Sequence, residues 1–197
     1  MPVDTADRIL KTAHTLIANI GYSAFSYADI SETLKISKAS IHHHFPTKAG
    51  LVVAVLHAYR ERVVLATETL DQQFEDPIMR LQAYVQHWER CIHGKKEPFC
   101  VAALLAAELP GLPQEVRAEV HLHFESLCTW IQRTMEAGLR KRCLKLQYSP
   151  QSEAQMLMAL VHGAMLSARV YGKTEVFRTV TSTALQRLSI PKRQGKQ

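Results

Sequence analysis

A chain of 197 residues suits one medium-sized domain, or a small module joined to a larger one. Hydrophobic residues make up 47% of it and charged residues 21%, which excludes a disordered protein and is typical of a globular one. The formal net charge of +6 favours a polyanionic partner such as nucleic acid, although a basic protein without such a partner stays an alternative.

The beginning of the chain, its apolar runs and its cysteines indicate the compartment. Asp4, Asp7 and Arg8 stand where a secretory signal peptide needs its apolar core. The apolar runs at residues 52–56 and 101–107 are far too short to span a bilayer. The cysteines are Cys91, Cys100, Cys128 and Cys143. Because the chain shows no signal-peptide pattern and the cysteines form no Cys-x-x-Cys motif, we expect free thiols in a reducing cytoplasm. The shortness of the apolar runs predicts no membrane segment.

The first predicted element is an amphipathic helix over residues 5–20. Asp4 is suited to the N-cap position, and Asp7 suits the first turn because a negative charge there complements the helix dipole. Gly21 is expected to end the helix. The apolar residues recur at helical spacing and are Ile9, Ala13, Leu16, Ile17 and Ile20.

Two short helices follow. Ser26 and Asp29 have the spacing of a capping box and open a helix over Tyr27–Leu34. Ser37 is expected to cap another helix over Lys38–His44. Two short helices joined by so tight a connection have the length pattern of a helix-turn-helix.

The rest of the chain also has helical rhythm, and no convincing pair of strands appears in it. We therefore predict an all-α protein of about nine helices. The six later helices are predicted at about 48–74, 77–93, 99–108, 114–142, 153–171 and 174–188.

The span 21–51 carries the functional signal. Ile30, Leu34, Ile36 and Ile41 can form a shared core that holds the second short helix at a large angle to the first. The small and polar residues at the start of that helix suit a DNA major groove, since the backbone can approach closely there. The residues that this arrangement projects outward are Lys38, Ala39, Ser40, His42 and His43.

The same span resembles the DNA-binding signature of the TetR family of transcriptional repressors, and the likeness extends over roughly residues 5–60. The residues that carry it are Gly21, Ser26, Asp29, Ile30, then the run Ile36-Ser37-Lys38-Ala39-Ser40-Ile41-His42-His43-His44-Phe45, and Thr47, Lys48 and Leu51. The resemblance implies a helix-turn-helix DNA-binding domain at 1–47 and a regulatory domain at 48–197. It further implies a homodimer that binds a palindromic operator and is released by a small-molecule inducer.

The resemblance also implies roles for single residues. Ser26, Tyr27 and Lys48 would contact phosphates, and Phe45 would be part of the core. We interpret Ser37 as a helix cap, with a base contact as the alternative. The residues that would face the groove are Lys38, Ala39, Ser40, His42 and His43.

Two residues depart from the family pattern. His42 stands where the family usually has tyrosine, and it could still stack or donate to a phosphate. Lys35 stands where glycine is common, and a left-handed conformation there would cost about 1 kcal/mol. Both changes could shift the operator preference.

Metal binding and catalysis receive little support. The run His42-His43-His44 cannot converge on one ion, because successive helical residues point about 100° apart. No nucleophile motif, phosphate-binding glycine loop or zinc-protease motif occurs. We therefore predict no metal, no cofactor and no enzymatic activity.

Cys100 has two interpretations. It lies near a predicted helix start and near Lys95 and Lys96, which would favour a reactive thiolate. Its segment is also similar to one in TetR-type repressors related to the repressor of N-ethylmaleimide reductase, which respond to electrophiles or oxidants. The alternative is a buried, inert thiol. A mostly apolar inducer pocket is predicted around Trp88, Cys100, Phe124 and His162.

The last two helices carry wide apolar faces and are predicted to form the dimer interface as a four-helix bundle. Their apolar residues include Met156, Val161, Met165 and Val180, and for Val161 and Met165 a place in the core of their own subunit is the alternative. A rival function is that of a helical protein that binds a small molecule or a protein without any DNA function.

Overall fold

The computed structural model describes residues 4–94 and 99–190. Within these two ranges the chain folds into nine α-helices, with one isolated β-bridge between Leu144 and Ser189. This confirms the predicted all-α class. The helices are α1 (Thr5–Ala24), α2 (Tyr27–Leu34), α3 (Lys38–His44), α4 (Lys48–Gln73), α5 (Pro77–Gly94), α6 (Val101–Ala107), α7 (Gln114–Arg140), α8 (Pro150–Tyr171) and α9 (Thr174–Leu188).

The helix boundaries follow local sequence signals closely. The bounds of α2, α3 and α9 are the predicted ones, and the side chains of Ser26 and Ser37 cap the first two of these helices. The first helix differs, since α1 resumes after Gly21 and continues to Ala24. Gly21 itself has φ 81° and ψ −179°, so the regular helix does break where it was predicted to end.

One compact unit contains α1 to α3, α4 as far as Arg62, α6, and α7 as far as Phe124. In it α1 packs against α2, α3 and α6. The helices α4 and α7 each contribute to two units, and the predicted domain boundary after residue 47 stays a prediction. The unit's buried apolar residues include Ile9, Ala13, Ile17, Phe25, Ile30, Ile41, Leu51, Val101 and Leu105.

A second compact unit contains α4 from Val63, α5, α7 from Glu125, and α8 with α9. Here α5, α8 and α9 pack against one another. The Glu153 carboxylate is almost fully buried, accepts from the Gln147 backbone amide at 3.0 Å and pairs with Arg187. Buried apolar residues of this unit include Leu81, Trp88, Leu157, Val161, Met165, Phe177 and Leu188.

Over the described ranges, no helix has the length and apolar character that a membrane crossing requires.

Candidate nucleic-acid interface

The start of α2 is held by the predicted capping box. The Ser26 backbone amide donates to the Asp29 carboxylate at 2.6 Å, and the Ala28 amide donates to the Ser26 hydroxyl at 3.2 Å. The hydrogen bonds that the Ser26 hydroxyl and the Ser26 backbone amide donate to this carboxylate stabilise its ionised form, so they hold the pKa of Asp29 below its usual range. Ser26 is exposed, as a phosphate contact requires, and its hydroxyl also donates to Asp29 at 2.8 Å.

The turn between α2 and α3 is tight and left-handed. Lys35 has φ 56° and ψ 42°, the conformation in which a residue with a side chain costs about 1 kcal/mol relative to glycine. The Ser31 hydroxyl donates to the Ile36 carbonyl at 2.6 Å and closes the turn. The Ser37 hydroxyl accepts from the Ser40 amide at 3.1 Å. Ser37 is therefore the N-cap of α3, as the sequence predicted.

One side of α3 is buried and the other faces solvent. Ile41 is completely buried, together with Ile30 of α2, so α3 is anchored in the unit's core. Ser40 is half-buried. The other predicted groove residues, Lys38, Ala39, His42 and His43, are exposed. We call Lys38, Ala39, Ser40, His42 and His43 the reading face.

Tyr27, for which a phosphate contact is predicted, has its hydroxyl engaged within the protein. Its side chain is buried, and its hydroxyl donates to the Phe45 carbonyl at 2.7 Å. A phosphate contact through this hydroxyl would need that bond to break, because the group is already engaged. The His42 ring lies 4.7 Å from the Tyr27 ring, and Phe45 is half-buried rather than fully in the core. Tyr27 thus ties α2 to the end of α3.

Lys48, at the first position of α4, sits over two aromatic rings. Its ammonium nitrogen is 4.6 Å from the centroid of Tyr22 and 4.6 Å from that of Phe25. Partial burial lowers the pKa of the Lys48 ammonium, while the carboxylates of Glu108 and Asp29 oppose that shift. Lys48 thus places a cation near the beginning of α2, and its contact with a phosphate stays a prediction.

Sequence reasoning missed Glu108, which lies just after α6. Its carboxylate accepts from the Tyr22 amide at 2.8 Å and from the Ser23 amide and hydroxyl at 3.1 and 2.9 Å. The bonded groups are more than 80 positions apart in the sequence, so no local pattern could reveal the contact. The signal in the sequence was Gly21, because a glycine can adopt a positive φ and leaves space for a close contact, here with the Glu108 carboxylate.

The inducer-pocket residues are divided between the two units. Cys100 and Phe124 belong to the first unit, and Trp88 and His162 belong to the second. Trp88 and His162 are buried, and burial lowers the pKa of the His162 imidazole. The His162 ring nitrogen Nδ1 lies 2.9 Å from the Met158 carbonyl. These placements leave the pocket a prediction.

Cys100 is completely buried, and burial raises the pKa of its thiol. The neighbouring Tyr59 side chain opposes part of that shift. Lys95 and Lys96, which entered the prediction of a reactive thiolate, lie outside the described residues. The described surroundings of Cys100 favour the inert, packed thiol.

Tyr59 also belongs to a largely buried cluster of aromatic and histidine rings. The Tyr59 ring lies 5.6 Å from the His14 ring and 5.1 Å from the His123 ring. Burial, with a smaller effect of the Arg62 charge, lowers the pKa of His14 to about 4. His14 is therefore neutral at physiological pH. On α7, His121 is exposed whereas His123 is buried, because the helix turns about 200° between them.

In the described parts of the chain, no group of three or more histidine, cysteine or carboxylate side chains is placed to hold a metal ion. His42 and His43 are exposed on α3, and the His43 and His44 rings meet edge to face at 5.4 Å.

The residues predicted to face a dimer partner need correction. Val161 is completely buried and Met165 is 1% exposed, within the core formed by α5, α8 and α9. The other side of α8 is the exposed apolar one, since a helix that packs one face in its own core presents the opposite face outward. We call the exposed residues Met156, Leu166 and Val170 of α8 and Val180 of α9 the bundle face.

Two family models match this chain. Residues 9–55 match the model of bacterial regulatory proteins, tetR family, and residues 77–184 match that of the tetracyclin repressor-like C-terminal domain. The first match covers the helix-turn-helix and the beginning of α4. It argues against the rival interpretation of a helical ligand-binding protein without DNA function.

Named relatives extend over nearly the same length. The crystal structure of a TetR-family transcriptional regulator from Agrobacterium tumefaciens is 44% identical, with a TM-score of 0.92, and the match covers 94% of this chain and 97% of that one. The HTH-type transcriptional repressor NemR of Escherichia coli strain K12 is 27% identical over 173 residues, 85% of either chain. The HTH-type transcriptional repressor DhaR of Mycobacterium sp. strain GP1 is 26% identical over 171 residues, 84% of either chain. All three are named as transcription regulators rather than enzymes.

Proposed function

The chain belongs to the TetR family of bacterial regulatory proteins, and we propose that it is a cytoplasmic repressor that binds a palindromic DNA operator as a homodimer. The observation that carries the proposal is the reading face, which is exposed while the helix beneath it is anchored by the buried Ile41. Members of the family bind DNA operators, typically as dimers.

The chemistry of the reading face suits a major groove. Lys38 supplies a cation, Ala39 and Ser40 leave room for close approach of the α3 backbone, and the two histidines supply donors or acceptors for base edges. Ser37 contributes through its cap, which keeps the N-terminal end of α3 rigid. Contacts to phosphates would come from Ser26 and Lys48, and from the main chain at the start of α2 near Tyr27.

The bundle face supports a homodimer. Met156, Leu166 and Val170 are 44%, 47% and 80% exposed, an unusual apolar stripe for a solvent-facing helix. Two copies that pair α8 and α9 would bury these side chains in a four-helix bundle. A two-fold dimer presents two α3 helices, so we expect a near-palindromic operator whose half-sites are one helical turn, about 34–36 Å, or a multiple of it apart.

We further propose that a small molecule of mostly apolar character releases the operator. It must bind the released conformation more tightly than the DNA-bound one, because only a difference in affinity between two states shifts their populations. Each unit offers candidate contacts for it: Cys100 and Phe124 in the first and Trp88 and His162 in the second, all of limited exposure.

Lys48→Ala tests the docking. We expect weaker binding to every duplex, with the slope of log affinity against log salt reduced by about one phosphate contact, because one counterion fewer is released. Titrations of labelled duplexes at several salt concentrations measure both quantities. Lys48→Arg is the control, since it keeps the charge over the two rings. Unchanged affinity and slope in Lys48→Ala would show that the proposed orientation on DNA is wrong.

An electrophile-sensing repressor acting through Cys100 is the second candidate, and the burial of this thiol disfavours it. A thiol that is completely buried is mostly protonated near neutral pH and reacts slowly. We expect brief treatment of the folded protein with iodoacetamide to label Cys128 and Cys143, which are partly exposed, before Cys100. Mass spectrometry of the peptides measures the order.

The operator-binding assay completes this test. If Cys100 is only a buried core residue, iodoacetamide changes operator binding equally in Cys100→Ser and in the wild type. Loss of operator binding on alkylation in the wild type, together with resistance in Cys100→Ser, would instead establish the sensor.

A further inference from the structure

We propose that Glu108 is a positioning residue for DNA binding, which holds Lys48 in place through the segment that joins α1 to α2. Glu108 lies at the end of α6, far in sequence from the helix-turn-helix. The inference rests on the proposed function, since it assumes that Lys48 contacts operator phosphates.

Glu108 contacts the end of α1 through both of its carboxylate oxygens. One carboxylate oxygen accepts from the Tyr22 amide at 2.8 Å, and the other accepts from the Ser23 amide and hydroxyl at 3.1 and 2.9 Å. Hydrogen bonds to a charged acceptor are stronger than those between neutral groups. Two successive backbone amides are thereby fixed to one side chain.

The backbone at Gly21 is shaped for this contact. Its φ of +81° lies in the region that side chains rarely adopt, and a Cβ atom there would stand 2.0 Å from the Glu108 Oε1 atom. Only glycine allows both the conformation and the close approach. The carboxylate therefore occupies a space that the chain leaves open for it.

The rings of Tyr22 and Phe25 connect this segment to Lys48. Tyr22, whose amide is bonded to Glu108, and Phe25 meet edge to face at 6.4 Å. The two rings together hold the Lys48 ammonium, which is 4.6 Å from either centroid. A displacement of Tyr22 therefore displaces the platform on which the cation rests.

The two effects of Glu108 on DNA binding have opposite signs. As a negative charge near a DNA-contacting lysine it repels phosphates, so its removal alone should strengthen binding. As the anchor of Tyr22 and Ser23 it orders Lys48, so its removal should weaken binding. We infer that the second effect is the larger, which makes operator affinity depend on where the end of α6 lies.

A double-mutant cycle tests this inference with the full-length chain. Affinity for a duplex selected with the wild type is measured at several salt concentrations for Glu108→Gln, Lys48→Ala and the double variant. We expect Glu108→Gln to bind about tenfold more weakly and to lower the salt slope by about one. In the Lys48→Ala background the same change should cost less than about twofold, because the residue through which it acts is gone.

Two further variants sharpen the result. Glu115→Gln removes the same charge from an exposed site that also faces Tyr22, and we expect it to bind at least as tightly as the wild type. Ser23→Ala removes only the hydroxyl's bond to Glu108 and should weaken binding about two- to threefold. Circular dichroism checks the fold of each variant, and Ser23→Ala in both backgrounds decides the question if Glu108→Gln does not fold.

The outcomes are distinguishable. Wild-type affinity in Glu108→Gln, or an equal loss in both backgrounds, overturns the positioning role while the proposed function stands. A wild-type protein that retains no duplex at all overturns the proposed function, and the positioning role with it.

Discussion

We expect a glutamate in place of Leu166 to separate the proposed homodimer and remove its operator binding. Leu166 is 47% exposed on the bundle face, and a charge there would have to be buried without a partner when two copies associate. A monomer contacts only one half-site of the operator. It therefore loses the gain in affinity, at least about 100-fold, that the second linked contact provides through its high effective concentration. Sedimentation velocity and duplex titration measure the two effects.

Two variants of α8 serve as controls for Leu166→Glu. Gln151→Glu adds the same charge to the exposed first turn of that helix, where the helix dipole favours it, and should leave both the dimer and the operator affinity intact. Val161→Glu should unfold the chain instead, because Val161 is buried in the core of its own subunit. A wild type that sediments as a monomer at micromolar concentration and on DNA would contradict the dimer.

Ala39→Glu will remove operator binding without harming the fold. Ala39 is exposed at the second position of α3, where a negative charge stabilises the helix. On the operator the same charge would stand in a groove lined by phosphates, and like charges in close contact cost several kcal/mol, which is about 100-fold or more in affinity. Duplex titration gives the affinity, and thermal unfolding gives the stability.

The matched control for Ala39→Glu lies in the same unit. Gln114→Glu adds an equal charge at the exposed first position of α7, which is again favoured by the helix dipole and is outside the reading face. We expect wild-type affinity in that variant. If Ala39→Glu also binds the operator like the wild type, α3 is not the helix that enters the groove.

Local signals were sufficient for most of the fold and for the geometry of α2 and α3. The Ser26 capping box, the Ser37 cap and the Lys35 turn each depend on hydrogen bonds or dihedral angles within a few residues. The helix-turn-helix was therefore predictable at the level of single residues. Its core residues Ile30 and Ile41 were predictable too, because helical periodicity places them on facing sides.

The choice between two faces of one helix was not predictable in the same way. Both sides of α8 are rich in apolar residues, so periodicity could not tell the core of the subunit from the surface. The packing of α8 against α5 and α9 decided it, and Val161 and Met165 proved to be core. Periodicity was equally unable to tell which histidine of α7 is buried: His121 is exposed, and His123, two positions later, is buried.

The sequence by itself determined the helices, their caps and the reading face, because these depend on contacts between residues that are neighbours in the chain. Only the tertiary structure decided which groups meet across long separations. The Tyr27 hydroxyl donates to the Phe45 carbonyl, and Cys100 is buried beside Tyr59. The Glu108 carboxylate reached Tyr22 and the groups around it. Each of these contacts requires two segments to be brought together by packing, and side-chain chemistry at one position does not specify its partner at another.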